Sequence, residues 1–233
     1  FNITKKLIPL NIPLFIEKPP GIIPEETKIL ANLANKYKTR NMIGFNRRFY
    51  SIFHKGIKII NDKGPLFGLS IEGHERFWKV KGRNISDRIY KNWIYANSTH
   101  TIDLLRFFGG EIKNIKSFSK SFKENLGDQF VASMEFESGS IGTYTSHWYS
   151  PGGWSVKLYG ADVSVILNPL EEGKWIDSMF DEHKIESDQV DNNFKPGFYN
   201  QLISFCKTNM ASLFELIVLV KLGTYLIPVK LPT

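Results

Sequence analysis

The stretch Leu14-Phe15-Ile16-Glu17-Lys18-Pro19-Pro20-Gly21 decides how the first part of this chain is interpreted. Its apolar residues predict a short buried strand, and the Pro-Pro-Gly that follows predicts a turn. Pro24-Glu25-Glu26 then opens a helix that ends near Lys38, because proline near the first position and acids in the first turn favour a helix start. A second short strand is predicted at 41–45. Strand, helix and strand with short joints form a βαβ unit, which implies parallel pairing.

The pattern after residue 46 predicts a different kind of sheet. Helices are predicted at 50–61 and 93–108, a strand at 67–77 and a long polar loop at 78–92. Five successive strands follow, at 112–122, 129–137, 140–148, 155–159 and 163–167, and we expect them to form an antiparallel meander. A polar stretch spans 181–193, and helices at 197–208 and 212–226 follow. The predicted fold class is α/β plus α+β: the end of a parallel sheet in residues 1–46, then a mostly antiparallel open-sheet domain with flanking helices in residues 47–233.

The composition of the 233 residues, 42% hydrophobic and 23% charged, is ordinary for a globular protein. The net charge of +7 is dispersed rather than concentrated, so we expect no nucleic-acid partner, although it could favour phosphorylated or nucleotide-linked ligands. The single cysteine, Cys206, indicates a reducing compartment, hence a cytoplasmic location. The apolar stretch 213–227 contains Glu215 and Lys221, so we expect a packed helix there and no membrane span.

Two segments carry side chains suited to alcohol chemistry. Lys18 follows a predicted parallel strand, and open α/β sheets bind ligands outside the carboxyl ends of their strands. A partly desolvated lysine there could donate a hydrogen bond to a hydroxyl, but it could equally be an exposed turn lysine. His100 falls on the predicted helix 93–108, with Asn97 and Asp103 three residues away on either side. Its imidazole suits proton transfer near neutrality, but it could also be a structural histidine satisfied by Asp103.

Two further segments are candidates for binding. Arg47 and Arg48 follow the second strand, where they could clamp a phosphate or carboxylate, or form surface salt bridges. The segment Ser150-Pro151-Gly152-Gly153-Trp154 joins two predicted strands and could shape a substrate site or be a plain hairpin loop. The histidines show no ligand spacing with Cys206 or with acids, so we expect no metal site.

Four of these segments, in this order, resemble the glucose–fructose oxidoreductase / inositol dehydrogenase (Gfo/Idh/MocA) family. They are FIEKP at 15–19, GFNRRF at 44–49, HTIDLLRFFGGE at 100–111 and the Gly-Gly-Trp loop with its strand ending at Tyr159-Gly160. The resemblance covers about residues 1–205. It implies a remnant of a Rossmann-type domain in 1–46, followed by a substrate-binding and oligomerisation domain. It also implies an NAD(P)-dependent oxidoreductase that acts on a hydroxyl of a sugar, polyol or nucleotide sugar by hydride transfer.

The resemblance also implies roles for individual residues. Lys18 and His100 match the catalytic lysine and histidine of the family. The cofactor-binding positions are Glu17, Lys18, Pro19 and Arg47, and the substrate-binding ones are Asn97, Thr101 and Arg48. The implied cofactor is NAD or NADP. The implied partners are a small sugar or polyol and further copies of the chain, bound through the open sheet.

The sequence departs from the family pattern in two places. Ala96 stands where the family usually has an aspartate, so the imidazole of His100 lacks an acid to orient it. The glycine-rich strand-to-helix turn that binds a dinucleotide pyrophosphate does not occur in the sequence, which indicates an N-terminally truncated member. The alternative function is therefore a non-catalytic oligomerisation or interaction module built on the open sheet.

Overall fold

The structure, a computed structural model, describes residues 1–124 and 127–207; the helix predicted at 212–226 lies outside them. Helix α1 (Asn2–Leu7) and a 3₁₀ turn (Ile8–Leu10) precede strand β1 (Leu14–Ile16). Helix α2 (Pro24–Tyr37) then leads to strand β2 (Asn41–Ile43), which pairs in parallel with β1. The predicted βαβ unit is therefore confirmed.

The βαβ unit has a small core of its own. Leu30, Ala31 and Ala34, at helical spacing on α2, are buried together with apolar residues of β1, β2 and the 3₁₀ turn. Pro24 begins α2 at a position where its missing N–H leaves no helical hydrogen bond unmade. Lys38 ends it in the left-handed conformation at φ 53°, with its N–H donating to Ala34 and Asn35.

The remaining elements surround one large sheet. The further described helices are α3 (Ser51–Asn61), α4 (Phe77–Val80), α5 (Asp87–Lys91), α6 (Thr99–Gly109), α7 (Gln189–Asn193) and α8 (Phe198–Lys207). A 3₁₀ turn (Asn46–Phe49) precedes α3, and a π-helical turn (Ile94–Ser98) runs into α6. The strands are β3 (Gly68–Gly73), β4 (Ile112–Lys120), β5 (Gln129–Phe136), β6 (Ile141–His147), β7 (Trp154–Gly160), β8 (Val163–Leu167), β9 (Gly173–Asp177) and β10 (Glu182–Ile185).

The strand order of this sheet corrects the predicted meander. Within the described residues the order is β10-β9-β8-β7-β3-β6-β5-β4. Strand β3 lies between β6 and β7, parallel to β6 and antiparallel to β7, so that Gly68 is opposite both Ile141 and Tyr159. All other neighbours are antiparallel, as expected. The 150–154 segment joins β6 to β7, which are not neighbours, so its interpretation as a hairpin loop is wrong.

Several predicted boundaries also need correction. The strand predicted at 67–77 ends at Gly73, and the loop predicted at 78–92 contains the end of α4 and the whole of α5. The polar stretch 181–193 contains β10 and α7. Strand β9 was not predicted, because all five of its residues are half-buried and show no alternation between an apolar and a polar face.

The large sheet has one covered face and one open face. Helices α3 and α6 cover one side, where Phe53, Leu105 and Phe136 are fully buried in the main core. Gly109 permits the close approach of α6, because a Cβ there would lie 2.5 Å from the Phe136 ring. The opposite side exposes apolar residues, among them Ile141. No helix of the described ranges is long and apolar enough to cross a membrane.

Candidate active site

Lys18 lies where the βαβ unit meets the large-sheet domain. It directly follows β1, and its Nζ donates to the carbonyl of Ala96 at 3.1 Å and to Oδ1 of Asn97 at 3.5 Å, both on the π-helical turn. Burial, together with the nearby positive charge of Arg47, lowers the pKa of Lys18 to about 8. The lysine is therefore much closer to proton exchange at neutral pH than an exposed one.

Glu75 completes this arrangement and was not predicted from the sequence. It lies just beyond β3, is only 5% exposed, and accepts from Asn97 Nδ2 at 2.9 Å and from Ser98 Oγ at 2.8 Å. Burial raises the pKa of Glu75, while the hydrogen bonds and the charge of Lys18 oppose that rise. Asn97 thus links the lysine to the acid, accepting from one with its oxygen and donating to the other with its nitrogen.

His100 is buried beside these groups on α6. Its ring meets Phe45 edge-on with centroids 5.7 Å apart, and Trp154 at 6.0 Å. Its Nδ1 has no hydrogen-bond partner among the described residues. Burial, with the positive charges of Arg47 and Lys18, holds the pKa of His100 far below its usual value. The imidazole is consequently neutral, and these surroundings make it a weaker base than an exposed histidine.

Asp103 does not satisfy His100, so that alternative is wrong. Its carboxylate is instead held by Arg48, with Nε 2.6 Å from Oδ2 and Nη2 2.7 Å from Oδ1. The buried bidentate pair ties α6 to the turn that follows β2. Thr101 likewise faces inward, donating to the Ser98 carbonyl at 3.0 Å and lying 3.1 Å from the Tyr144 hydroxyl. Neither Arg48 nor Thr101 lines the neighbouring cavity.

A cavity of about 850 Å³ lies next to these groups. Lys18 and His100 do not line it themselves, but Lys18 contacts its lining residue Asn97, and the ring of His100 packs near its lining residue Trp154. Arg47, Glu75 and Asn97 contribute to its lining, and the guanidinium of Arg47 lies over the Trp154 ring at 4.4 Å. The glycines of the 150–154 segment form another wall: a Cβ on Gly152 would lie 2.9 Å from the ring of His74. The segment therefore shapes the wall of a cavity, as in the first of the two interpretations of its sequence, and is not a plain hairpin loop.

The carboxyl ends of β1 and β2 fit one end of a dinucleotide. The predicted cofactor-binding residues Glu17, Lys18, Pro19 and Arg47 all follow these two parallel strands, which is where such sheets bind nucleotides. Glu17 is exposed there, and a Cβ on Gly44 would lie only 3.4 Å from its Oε2. The structure thus brings the predicted cofactor-binding residues to one edge of the small sheet, and their binding of a nicotinamide stays a prediction. Within residues 1–124 and 127–207 it shows no glycine-rich strand-to-helix turn for the pyrophosphate.

No metal site accompanies these groups in the part of the chain that the structure describes. No three histidine, cysteine, aspartate or glutamate side chains converge there as ligands would.

Comparisons with known proteins support the fold. Residues 70–166 match the sequence profile of the GFO/IDH/MocA C-terminal domain. Among solved structures, levoglucosan dehydrogenase in complex with NADH and L-sorbose is similar over 95% of this chain and 71% of its own, with 14% identity and a TM-score of 0.79. UDP-N-acetylglucosamine 3-dehydrogenase from Acidithiobacillus ferrooxidans is similar over 96% and 72%, with 13% identity and a TM-score of 0.73.

An oxidoreductase from Thermotoga maritima shares 17% identity over 96% of this chain and 70% of its own, with a TM-score of 0.73. At such identities the likeness shows the fold. No curated protein matches the chain in sequence.

Proposed function

We propose that the chain is a member of the GFO/IDH/MocA oxidoreductases, whose C-terminal domain profile matches residues 70–166, and that it transfers hydride between NAD or NADP and a hydroxyl-bearing carbon of a sugar, polyol or nucleotide sugar. Similar proteins include dehydrogenases of a sugar and of a nucleotide sugar, which supports this class of substrate. One observation carries the proposal. A lysine with a lowered pKa and a neutral, buried histidine lie together beside a cavity of ligand size.

The two groups divide the work on a substrate hydroxyl. The neutral imidazole of His100 takes the hydroxyl proton, and the ammonium of Lys18 donates a hydrogen bond to the oxygen as its negative charge develops. The cofactor, when bound, supplies a nicotinamide ring that accepts the hydride from the carbon. In the reverse direction the histidine returns the proton. The nearby guanidinium of Arg47 favours the oxyanion and helps keep the histidine neutral.

Position 96 supplies no acid to His100, and burial with the neighbouring cations disfavours the protonated form of its imidazole. Ala96 offers only its carbonyl, which Lys18 already uses. Glu75 is the acid of this site, and it acts on Lys18 through Asn97 rather than on the histidine. We therefore propose a positioning role for Glu75, in which it holds the amide that orients the lysine.

Turnover tests these roles. We expect oxidation of at least one member of a sugar and polyol panel with NAD or NADP, and a loss of about 10²–10⁴-fold in kcat for Lys18→Met and for His100→Ala. Lys63→Met, on the exposed turn after α3, is the matched control. If both site variants stay within a few-fold of the wild type, the assigned roles are wrong. Absence of turnover across the panel, in a preparation that binds NADH or NADPH by calorimetric titration, would contradict the proposed reaction.

The open face of the large sheet supports a second candidate function, oligomerisation. The strand register aligns Phe118 with Val131, and Ile141 with Tyr159 across Gly68, and these four apolar side chains are exposed. A shallow cavity of about 700 Å³ lies on the same face. Such a surface is typical of an interface between copies of a chain.

Light scattering discriminates the two candidates. We expect Ile141→Glu to produce a smaller particle and Lys18→Met to leave the particle size unchanged. A monomeric wild type would exclude oligomerisation. Association without turnover would favour the non-catalytic module.

The domain boundary is also proposed rather than tested. We place it between residues 46 and 47. The separation of the small core, formed by residues 8–45, from the main core, formed by residues 50–185, supports this position.

A further inference from the structure

The mouth of the cavity carries three cationic side chains on one short segment. Arg76, Lys79 and Arg83 line it, and all three are exposed. None of them has an ion-pair partner within the described ranges, whereas Lys81 of the same segment pairs with Glu124 at 2.9 Å and does not line the cavity. One of the four cations on this segment is therefore neutralised by an acid, and the three that line the cavity are available to a ligand.

The core holds this segment in place. Phe77 and Val80 of α4 are buried, and the Phe77 ring packs on Trp148 with centroids 4.8 Å apart. The Lys79 N–H donates to the Arg76 carbonyl at 2.8 Å, and the Arg83 N–H donates to the Val80 carbonyl at 3.0 Å. Because the apolar residues fix the backbone, binding of a ligand requires ordering of the three side chains only and not of the segment that carries them.

The acids that line the same cavity are already engaged by neutral donors. Glu72 accepts from Ser155, Glu75 from Asn97 and Ser98, and Glu171 from the Tyr50 hydroxyl. They therefore do not pair with the three cations. With Arg47 included, the lining carries four basic and three acidic side chains, and the basic groups at the mouth are those left to meet a ligand.

We propose that the substrate of the reaction inferred above carries a phosphoryl group, which Arg76, Lys79 and Arg83 bind while the reacting hydroxyl faces Lys18 and His100. This proposal rests on the proposed function. A phosphate brings about two negative charges and three acceptor oxygens, so it can engage three cations that line one cavity, whereas a carboxylate brings one charge and two oxygens. The cavity lies in the upper part of the roughly 300–1,000 Å³ range of small-molecule sites, so it has room for a sugar and a second group.

The cations belong to the substrate side rather than to the cofactor side. Of the four predicted cofactor-binding residues only Arg47 lines the cavity, and none of its lining residues comes from the βαβ unit that carries Glu17 and Lys18. A sugar monophosphate and a nucleoside diphosphate sugar share the phosphoryl chemistry. The two sources differ in whether a nucleoside is also needed for tight binding.

Calorimetric titration of the chain with glucose, glucose 6-phosphate and UDP-N-acetylglucosamine tests this inference without requiring turnover. We expect at least one phosphorylated probe to bind tenfold or more tightly than glucose. We expect Lys79→Gln and Arg83→Gln each to weaken that probe by about tenfold, as loss of a charge-assisted hydrogen bond does. Lys63→Gln makes the same change on the exposed turn after α3 and should leave the affinity unchanged. The probe that binds better identifies the monophosphate or the nucleotide-linked source.

The inference is overturned if neither phosphorylated probe binds at millimolar concentration, if glucose binds equally well, or if Lys63→Gln weakens binding as much as the cavity variants do. Thermal unfolding of each variant shows that it is folded before titration. Failure here is distinguishable from failure of the proposed function. Turnover of neutral sugars with no preference for phosphorylated ones would leave the reaction standing and remove the anionic substrate. Binding of a phosphorylated probe at these cations without any turnover would support the anionic ligand and contradict the proposed reaction.

Discussion

Titration of Lys18 links the candidate active site to the stability of the whole chain. The pKa of Lys18 is about 8 in the folded chain and 10.5 in the reference state. Between these values the unfolded chain binds more protons than the folded one, so the free energy of unfolding rises with pH. Integrated from pH 7 to pH 9, the contribution of this one group is about 1.3 kcal/mol. The Lys18→Met variant lacks this pH-dependent contribution.

Urea unfolding of wild type and Lys18→Met at pH 7, 8 and 9 measures this contribution. Subtracting the unfolding free energy of the variant from that of the wild type cancels the titration of every group that the two proteins share. As the pH rises from 7 to 9, this difference should increase by about 1.3 kcal/mol. Lys63→Met, the matched exposed control, should show no such trend. A difference that is flat with pH, or that shifts towards the variant, would refute the claim that burial depresses this pKa.

Three more changes test the surroundings of the site. Arg48→Ala removes the cation that holds the buried Asp103 carboxylate, and should lower the free energy of unfolding by about 3–5 kcal/mol; a double variant that also carries Asp103→Ala should recover part of the loss. Gly109→Ala places a methyl against the Phe136 ring and should cost about 1–3 kcal/mol by urea unfolding, and an unchanged midpoint would contradict that contact. Glu75→Gln removes a negative charge that raises the pKa of the neighbouring lysine. The pH at which that lysine reacts with an amine-labelling reagent, followed by mass spectrometry, should therefore fall, and a rise would contradict the geometry.

The first part of the fold could be predicted from the sequence because local signals determined it. A proline and two acids set the start of α2, and short apolar runs on each side gave β1, β2 and their parallel pairing. Periodicity also located β4 to β8. It could not assign neighbours, because alternation identifies the buried face of a strand and says nothing about its partner. The insertion of β3 between β6 and β7 depends on long-range packing, and that information lies in no single segment.

In the candidate site, too, local signals predicted some residues and long-range packing decided the others. The positions of Lys18 and His100 were predicted because each stands at a recognisable place, a strand end and a helix before Gly-Gly. Glu75 was not, because a glutamate between a histidine and an arginine, near the end of the strand predicted at 67–77, gives no sign that it is buried. Its burial comes from the π-helical turn that packs against it. The partner of Asp103 could not be predicted either, because helical spacing offers several neighbours and the choice of Arg48 depends on tertiary contacts.

The central position of β3 has a consequence for synthesis and folding. Its two neighbours, β6 and β7, lie some 70 to 90 positions later in the chain. Contacts this distant in sequence make loop closure costly and slow folding. During translation β3 can pair with β6 only after residues up to 147 have left the ribosome, and with β7 only after residues up to 160 have done so. Since the segment with Glu75 and the three cations directly follows β3, the substrate cavity forms only after this late strand pairing.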